Sequence, residues 1–193
     1  NTARTTPVVT STANNGQPAD VRIDAAGSVT VTTGTAVTID SNNDVTNAGK
    51  IAISNADNAS GIRVIGIRTA DISNSGTITI DETYNPTDTD NDGDLDGPFA
   101  IGTGRTAIRI DDGLIGNLSH TGTIVVEGNQ SAGIRATGPI TGTFTHEGKT
   151  TVTGNQSVGV AVGDISGNVR LAGEITVRGQ GSQGAVLGGD LGG

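Results

Sequence analysis

Three short sequence elements recur along the chain in a fixed order, and this repetition limits the fold more than any other feature. The first element is G-x-Φ-x-Φ, where Φ is aliphatic, and its copies are GSVTV (27–31), GKIAI (49–53), GTITI (76–80), GTIVV (122–126), GKTTV (148–152) and GEITV (173–177). The second element has a small residue at its second position, and its copies are TAVTI (35–39), SGIRV (60–64), TAIRI (106–110), AGIRA (132–136), VGVAV (158–162) and QGAVL (183–187). The small residue advances by 25, 46, 26, 26 and 25 positions from copy to copy, so one step alone is longer than the others.

The third element, Φ-x-G-x-Φ, occurs as ITGTF (140–144) and ISGNV (165–169), with a shifted form around Gly116. Each repeat therefore holds three short segments of alternating apolar residues, which is the pattern of β-strands. Antiparallel hairpins do not return three strand types in the same order at a fixed period. A coil does, because each turn places every strand beside its counterpart in the previous turn. The sequence predicts an all-β parallel β-helix, or solenoid, of about six turns.

The alternation within the first element also predicts which side chains fill the interior. Inward-facing positions of successive turns should stack at the inter-strand spacing of about 4.8 Å. The predicted interior ladder contains Val29, Ile51, Ile78, Ile124 and Ile175, with Thr150 as a polar exception. A second column is predicted at a bend, where Asn and His tolerate unusual backbone conformations. It contains Asn47, Asn74, His120, His146 and Leu171.

The repeats predict how the chain is divided. Residues 1–20 do not fit the repeat and are interpreted as an N-terminal cap, and residues 21–193 as the β-helix. The single long step assigns residues 81–104 to a loop inserted at one bend. The final GGDLGG (188–193) restarts the pattern of VGDISG (162–167), so we expect the chain to be the N-terminal part of a longer solenoid.

Composition narrows the class of protein and its partners. The net charge is −9 and no basic cluster is present, which argues against nucleic acid, whose phosphates require Lys and Arg. No apolar run approaches the ~20 residues of a membrane-spanning helix, so no membrane insertion of this segment is expected. The chain has no cysteine, and therefore no disulfide. It begins at Asn1 instead of Met, as expected if a signal peptide has been removed.

The inserted loop contains the stretch DTDNDGDLDG (88–97), whose alternating aspartates fit the spacing of a calcium-binding loop. The first three aspartates take positions 1, 3 and 5 of an EF-hand-type loop, and the next two take positions 7 and 9. The predicted metal ligands are Asp88, Asp90, Asp92, Asp94 and Asp96.

Of the other motif positions in this loop, position 6 matches the EF-hand pattern and position 12 does not. Gly93 occupies position 6, where the motif needs a sharp turn. Position 12 is Phe99 instead of a bidentate glutamate, so another carboxylate, such as Glu82 or Asp81, would have to complete the shell. The sequence therefore predicts a structural calcium site that orders the loop. The alternative is a mobile acidic loop without a metal.

Three arginines, Arg63, Arg109 and Arg135, occupy the same position of the second element in consecutive repeats. They are predicted to stack on one face, where their repulsion at about 5 Å in water is only about 0.8 kcal/mol per pair. Such a stripe could contact an anionic ligand, for instance a surface polysaccharide. Three solvated side chains with no ligand are the alternative.

Two further patterns suggest catalysis but have simpler explanations. His120 and His146 lie 26 residues apart, so they stack as bend residues of adjacent turns. Asp81 and Glu127 fall in one column of adjacent turns, about 5 Å apart, which is the carboxyl separation of a retaining glycosidase. Any β-helix produces this spacing, and no aromatic platform for a sugar stands nearby in the sequence.

The rung motifs resemble a known family. VTNAGKIAISNADNASGI (45–62), ISNSGTITI (72–80) and TGTIVVEGNQSAGI (121–134) are similar to rungs of Gram-negative autotransporter (type V secretion) passenger domains. The resemblance covers roughly residues 20–193. It implies a right-handed β-helix exported through the outer membrane and, in the full-length chain, a C-terminal translocator barrel. The serine-protease module and the G-D-S lipase motif of enzymatic passengers do not occur in the sequence.

The resulting expectation is a non-enzymatic, extracellular β-helix on the surface of a Gram-negative bacterium, with an adhesive or structural role. Its expected partners are surface polysaccharide or neighbouring surface proteins. The first alternative is a calcium-dependent subunit of a surface coat or fibre that self-associates. The second is a polysaccharide-acting enzyme, since such enzymes also use β-helices.

Overall fold

A computed structural model describes residues 2–93 and 95–192 and confirms the predicted parallel β-solenoid. The strands of the described residues form four sheets, and neighbouring strands within each sheet are parallel counterparts from consecutive turns. A short 3-10 helix, Thr10–Thr12, precedes the first complete turn.

The two largest sheets contain the first and second sequence elements. Sheet 1 consists of β1 (Ala3–Arg4), β4 (Ser28–Val31), β7 (Lys50–Ser54), β11 (Thr77–Asp81), β15 (Thr123–Glu127), β19 (Lys149–Thr153) and β22 (Glu174–Arg178). Sheet 2 consists of β2 (Val8–Val9), β5 (Thr35–Ile39), β8 (Ser60–Val64), β12 (Thr106–Ile110), β16 (Ala132–Ala136), β20 (Val158–Val162) and β23 (Gln183–Leu187).

The two smaller sheets complete each turn. Sheet 3 consists of β3 (Val21–Ile23), β6 (Val45–Asn47), β10 (Ile72–Asn74), β14 (Leu118–His120), β18 (Phe144–His146) and β21 (Val169–Leu171). Sheet 4 consists of β9 (Ile67–Thr69), β13 (Gly113–Ile115) and β17 (Ile140–Thr141).

The solenoid has about seven turns, one more than the sequence predicts. Sheets 1 and 2 each hold seven strands, because β1 and β2 pair in parallel with β4 and β5. Both strands come from the segment interpreted as an N-terminal cap, residues 1–20. This segment therefore extends the sheets, although its sequence does not follow the repeat.

The predicted interior ladder is confirmed residue by residue. Parallel register joins its members in the predicted order, from Val29 through Ile51, Ile78, Ile124 and Thr150 to Ile175. The members up to Thr150 are buried, and Ile175 is half-buried in the last strand of sheet 1. Aliphatic side chains of the sheets thus fill one continuous core, which explains how a chain with 2% aromatic residues can have a packed interior.

From its second copy onward, the first element opens on a glycine that is required by the close approach of successive turns. A Cβ atom added to Gly122 would lie 2.0 Å from the carbonyl oxygen of Gly76. The same clash, at 2.0–2.3 Å from a backbone oxygen of the preceding turn, would occur at Gly49, Gly76, Gly148 and Gly173. Because the obstacle is backbone, a neighbouring side chain cannot relieve it by changing its rotamer.

Replacing Gly122 by Ala is expected to lower the free energy of unfolding by about 1–3 kcal/mol, the usual cost of overpacking a rigid interior. Gly163→Ala is the matched control, because a Cβ atom there would meet nothing within 4 Å. Urea unfolding followed by circular dichroism measures both variants. Equal stabilities of the two would contradict the proposed steric role of the glycine column.

The long repeat step is accounted for by one excursion. Strand β11 ends at Asp81 and β12 begins at Thr106, and the intervening residues leave sheet 1 and return at sheet 2. Near its end the excursion rejoins the solenoid, where Asn129 donates to the carbonyl oxygen of Ala100 at 2.8 Å. The loop is thus placed at one bend of the coil, as the sequence predicts.

Candidate functional site

Three of the five predicted calcium ligands converge in the inserted loop. Asp88, Asp90 and Asp96 each offer one carboxylate oxygen, and these oxygens lie within 4.8 Å of one another. Asp88 is half-buried and the other two are exposed. Among the described residues Asp92 does not belong to this group, and Asp94 lies outside the described residues.

Asp88 shapes the turn that brings the carboxylates together. Its carboxylate accepts hydrogen bonds from the amide of Asn91 at 2.7 Å and from the amide of Gly93 at 3.0 Å. Asn91 has φ 60° and Gly93 has φ 101°, a left-handed conformation that Asn and Gly adopt most easily. Gly93 therefore turns the backbone tightly, as the sequence predicts, and Asn91 contributes to the same turn.

The other two carboxylates also accept backbone hydrogen bonds. Asp90 accepts the amide of Asp92 at 3.2 Å, and Asp96 accepts both the hydroxyl and the amide of Thr89. The bonds from Thr89, the hydroxyl first, lower the pKa of Asp96 below its ordinary value. The three carboxylates thus form a negatively charged group of hard oxygen ligands, which suits Ca²⁺. These hydrogen bonds hold the carboxylates of Asp88, Asp90 and Asp96 on one side of the turn.

The base of the loop is closed by a buried ion pair. The Glu82 side chain is 6% exposed and accepts hydrogen bonds from the amides of Ile101 at 2.7 Å and Gly102 at 2.8 Å. It also accepts a bond from Arg105 at 2.9 Å, and Arg105, 2% exposed, donates to the carbonyl oxygen of Ala56 at 2.8 Å. Both oxygens of Glu82 are used here, so this residue is not free to complete a calcium shell as suggested above.

The spacing of Asp81 and Glu127 suggested a glycosidase. At least one of the two, Glu127, has a structural role. The Glu127 carboxylate accepts the amide of Glu82 at 3.0 Å, and the Glu127 carbonyl oxygen accepts a bond from Arg105. Asp81 lies beside Ser54 in the parallel register of sheet 1. Glu127 therefore helps to hold the start of the inserted loop against the solenoid.

The predicted Asn and His column exists at the bend where the strands of sheet 3 end, and its side chains are buried inside the solenoid. Asn47 donates to Asn74 at 2.7 Å, and Asn74 lies 2.9 Å from Nδ1 of His120. The rings of His120 and His146 are edge to face with centroids 5.0 Å apart. Nε2 of His146 lies 2.9 Å from the hydroxyl of Thr150. The polar exception in the aliphatic ladder is thereby explained as the partner of a buried histidine.

Both histidines are neutral at pH 7. Burial, and secondly the neighbouring His146, lower the pKa of His120 to about 4. Burial also lowers the pKa of His146. Since the oxygen of Asn74 already accepts from Asn47, its amide nitrogen donates to Nδ1 of His120. The proton of His120 is then on Nε2, which faces the carbonyl oxygen of Lys149 at 3.4 Å. These contacts describe a buried structural column.

The arginine stripe is confirmed, and its members differ in their partners. Arg63 pairs with Arg109, and Arg109 with Arg135, in the parallel register of sheet 2. Asp111 accepts hydrogen bonds from Arg63 at 2.7 Å and from Arg109. Burial opposes ionisation of Asp111, but the bonds from Arg109 and Arg63 outweigh it and lower its pKa.

Comparisons with known proteins do not assign the chain to a family. No family model, no curated protein and no solved structure matches it. The described residues contain no helix long and apolar enough to cross a membrane. The class of protein that the fold defines is a parallel β-solenoid with one long insertion between β11 and β12.

The buried Glu82–Arg105 pair was not predicted from the sequence. Glu and Arg are seldom fully buried, and Glu82 was considered only as an additional calcium ligand. One signal could have revealed the pair, because the two residues stand at the two ends of the insertion, just after β11 and just before β12. In this chain the opposite charges that flank the insertion pair with each other and close its base.

Proposed function

We propose that this chain is a non-enzymatic, extracellular β-solenoid with an adhesive or structural role. In this proposal it is the passenger of an autotransporter-like protein on the surface of a Gram-negative bacterium. The observation that carries the proposal is the unbroken parallel register of sheets 1 and 2 through seven strands each. At the inter-strand spacing of about 4.8 Å, six such steps form a rod about 29 Å long.

A rod of this kind suits display at a cell surface. Outward-facing positions of sheets 1 and 2 repeat in columns, so a residue type used once per turn becomes an evenly spaced row. The stripe of Arg63, Arg109 and Arg135 is one such row. Rows of equal spacing favour contact with extended, repetitive partners, such as polysaccharide or the rods of neighbouring surface proteins.

The solenoid architecture also fits a protein that is exported unfolded and folds afterwards. In a solenoid each turn contacts mainly its neighbours, so folding can start at one end and propagate turn by turn. The chain has no cysteine that could cross-link before passage. Together with the resemblance of the rung motifs, this supports secretion through a C-terminal translocator barrel after removal of a signal peptide.

The test is to express the full-length gene in a Gram-negative host and treat intact cells with external protease. We expect the solenoid to be released from the cell surface, and the coding sequence to continue into a translocator barrel. A solenoid that stays protected inside the cells, or a gene without a barrel, would refute the proposal.

A second candidate function is a calcium-dependent subunit of a surface coat or fibre. It is favoured by the convergence of Asp88, Asp90 and Asp96 within 4.8 Å in the inserted loop. Like charges at this distance repel, and a divalent cation would neutralise them. We propose that calcium bound there orders the loop and allows neighbouring copies to associate through it.

Calcium is expected to bind the loop weakly, with a Kd of about 10⁻⁴–10⁻³ M, because no bidentate glutamate follows at position 12. Asp90→Asn should weaken binding about tenfold. This change keeps an oxygen that can accept the amide of Asp92 and removes only the charge. Asp190→Asn, an exposed change outside the loop, is the control and should bind like the original chain. Isothermal titration measures all three.

Two further measurements separate the calcium candidate from a plain acidic loop. Limited proteolysis should cut within residues 88–97 in chelator and spare them in calcium, while the solenoid survives both. Analytical ultracentrifugation should show larger species only with calcium if the coat function is right. Equal heats from the original chain and Asp90→Asn, or calcium-independent cleavage, would remove the metal from the proposal.

A further inference from the structure

Arg135 is the one arginine of the stripe that lacks a carboxylate. Arg63 and Arg109 share Asp111, which lies two residues beyond Arg109 in the same turn. The residue at the corresponding place after Arg135 is Thr137, whose hydroxyl donates to the carbonyl oxygen of Asp111 at 2.7 Å. Within residues 2–93 and 95–192 the guanidinium of Arg135 makes no hydrogen bond or ion pair.

An open groove lies beside this guanidinium. In the next two turns the arginine position is taken by Ala161 and Val186. Their short side chains leave space next to Arg135, on the side of these two turns. The resulting groove has a volume of about 480 Å³, and Gln156 and Gln183 also line it. Both glutamines are exposed. The groove thus combines a half-buried cation, side-chain amides and a small apolar floor.

We propose that this groove binds a carboxylate-bearing sugar of an acidic oligosaccharide, with Arg135 as the residue that holds the carboxylate. A guanidinium matches a carboxylate through two parallel hydrogen bonds, and such charge-assisted bonds are stronger than neutral ones. Burial and the nearby Arg109 lower the pKa of Arg135, so a bound anion would relieve an unfavourable environment. The ligand carboxylate would take the place that Asp111 has beside Arg109.

The surroundings favour a sparsely charged saccharide over other anions. The net charge of the chain is −9, so a dense polyanion such as nucleic acid would be repelled over most of the surface. An oligosaccharide with one carboxylate in every second sugar carries far less charge. Its hydroxyl groups can both donate to and accept from Gln156 and Gln183. The inference names a partner class for the adhesive function proposed above and rests on it.

The test is an NMR titration of the purified chain with a hyaluronan hexasaccharide and with the same hexasaccharide bearing methyl-esterified carboxylates. The acidic form should shift the side-chain signals of Arg135 and Gln156 in a saturable way, and the ester should bind at least about tenfold more weakly. Arg135→Ala should weaken binding of the acidic form by a similar factor. Arg22→Ala, which removes an arginine 71% exposed and outside the groove, should leave it unchanged.

Thr137→Asp provides a second variant that keeps the arginine. It places an aspartate two residues beyond Arg135, as Asp111 stands beyond Arg109, and should abolish binding by occupying the guanidinium. Circular dichroism and thermal unfolding establish that each variant is folded. Absence of a saturable shift with the original chain would overturn the proposal, as would equal binding of the ester or an unchanged affinity of Arg135→Ala. A tetraglutamate peptide that binds as tightly would overturn the saccharide assignment.

Binding by the purified chain does not depend on where the chain is displayed. Failure of surface exposure in cells would therefore refute the proposed function and leave the titration result intact. Failure of the titration with normal surface exposure would refute the carboxylate groove alone.

Discussion

Replacing Glu82 by Ala is expected to lower the free energy of unfolding by about 3–5 kcal/mol, the usual cost of removing one partner from a buried ion pair. The Glu82 side chain is 6% exposed and the Arg105 side chain 2%. Removal of Glu82 leaves the guanidinium of Arg105 buried beside two carbonyl oxygens, with its closest carboxylate gone. It also strips the amides of Ile101 and Gly102 of their acceptor.

Glu174→Ala is the matched control for this substitution. Glu174 also forms an ion pair, with Lys149 at 3.0 Å, but the two side chains are 59% and 54% exposed. Water solvates both charges after the pair is broken, so its removal should have a far smaller effect than that of Glu82. Chemical unfolding measures both variants. Similar losses for the two would show that burial of the Glu82–Arg105 pair has no energetic consequence.

Replacing Ile124 by Ala is expected to destabilise the solenoid by about 2–5 kcal/mol, because the change leaves a cavity in a closely packed column. Ile124 is 0% exposed and lies between Ile78 and Thr150 of the adjacent turns. The interior is thin and has strands on every side, so the neighbours can collapse into the space only partly.

Ile175→Ala tests the same column at a position that is only partly buried. Ile175 lies next to Thr150 in the last strand of sheet 1 and packs against the edge of the core. Less apolar surface is removed from water there, so the loss should be clearly smaller than for Ile124. A change below about 0.5 kcal/mol at Ile124 itself, the range of ordinary surface substitutions, would contradict the interior register.

The fold was predictable because the signal for it is local and repeated. Alternation of apolar residues specifies which side of a strand faces inward, and the period of 25–26 residues specifies which strands are neighbours. Together these two patterns predict that Ile78 lies beside Ile124 across the insertion, and the structure confirms it. The extra turn formed by β1 and β2 was missed because their segment does not carry the repeat.

The candidate sites were predictable only in part. The acidic stretch was located from composition, but composition could not tell that Asp88, Asp90 and Asp96 converge without Asp92. That grouping depends on the hydrogen bonds from Asn91 and Gly93 to Asp88, which are a property of the folded loop.

By itself, the sequence determined the parallel coil, its interior ladder and the place of the insertion, because these depend on period and side-chain direction. Only the tertiary structure decided which polar groups meet. It put the column of Asn74 and His120 inside the coil, closed the loop with Glu82 and Arg105, and left Arg135 without a carboxylate. The physical reason is that burial and pairing of charges depend on distances of a few ångströms between different turns. A repeat pattern specifies that two residues are neighbours, but it does not specify the hydrogen bonds between them.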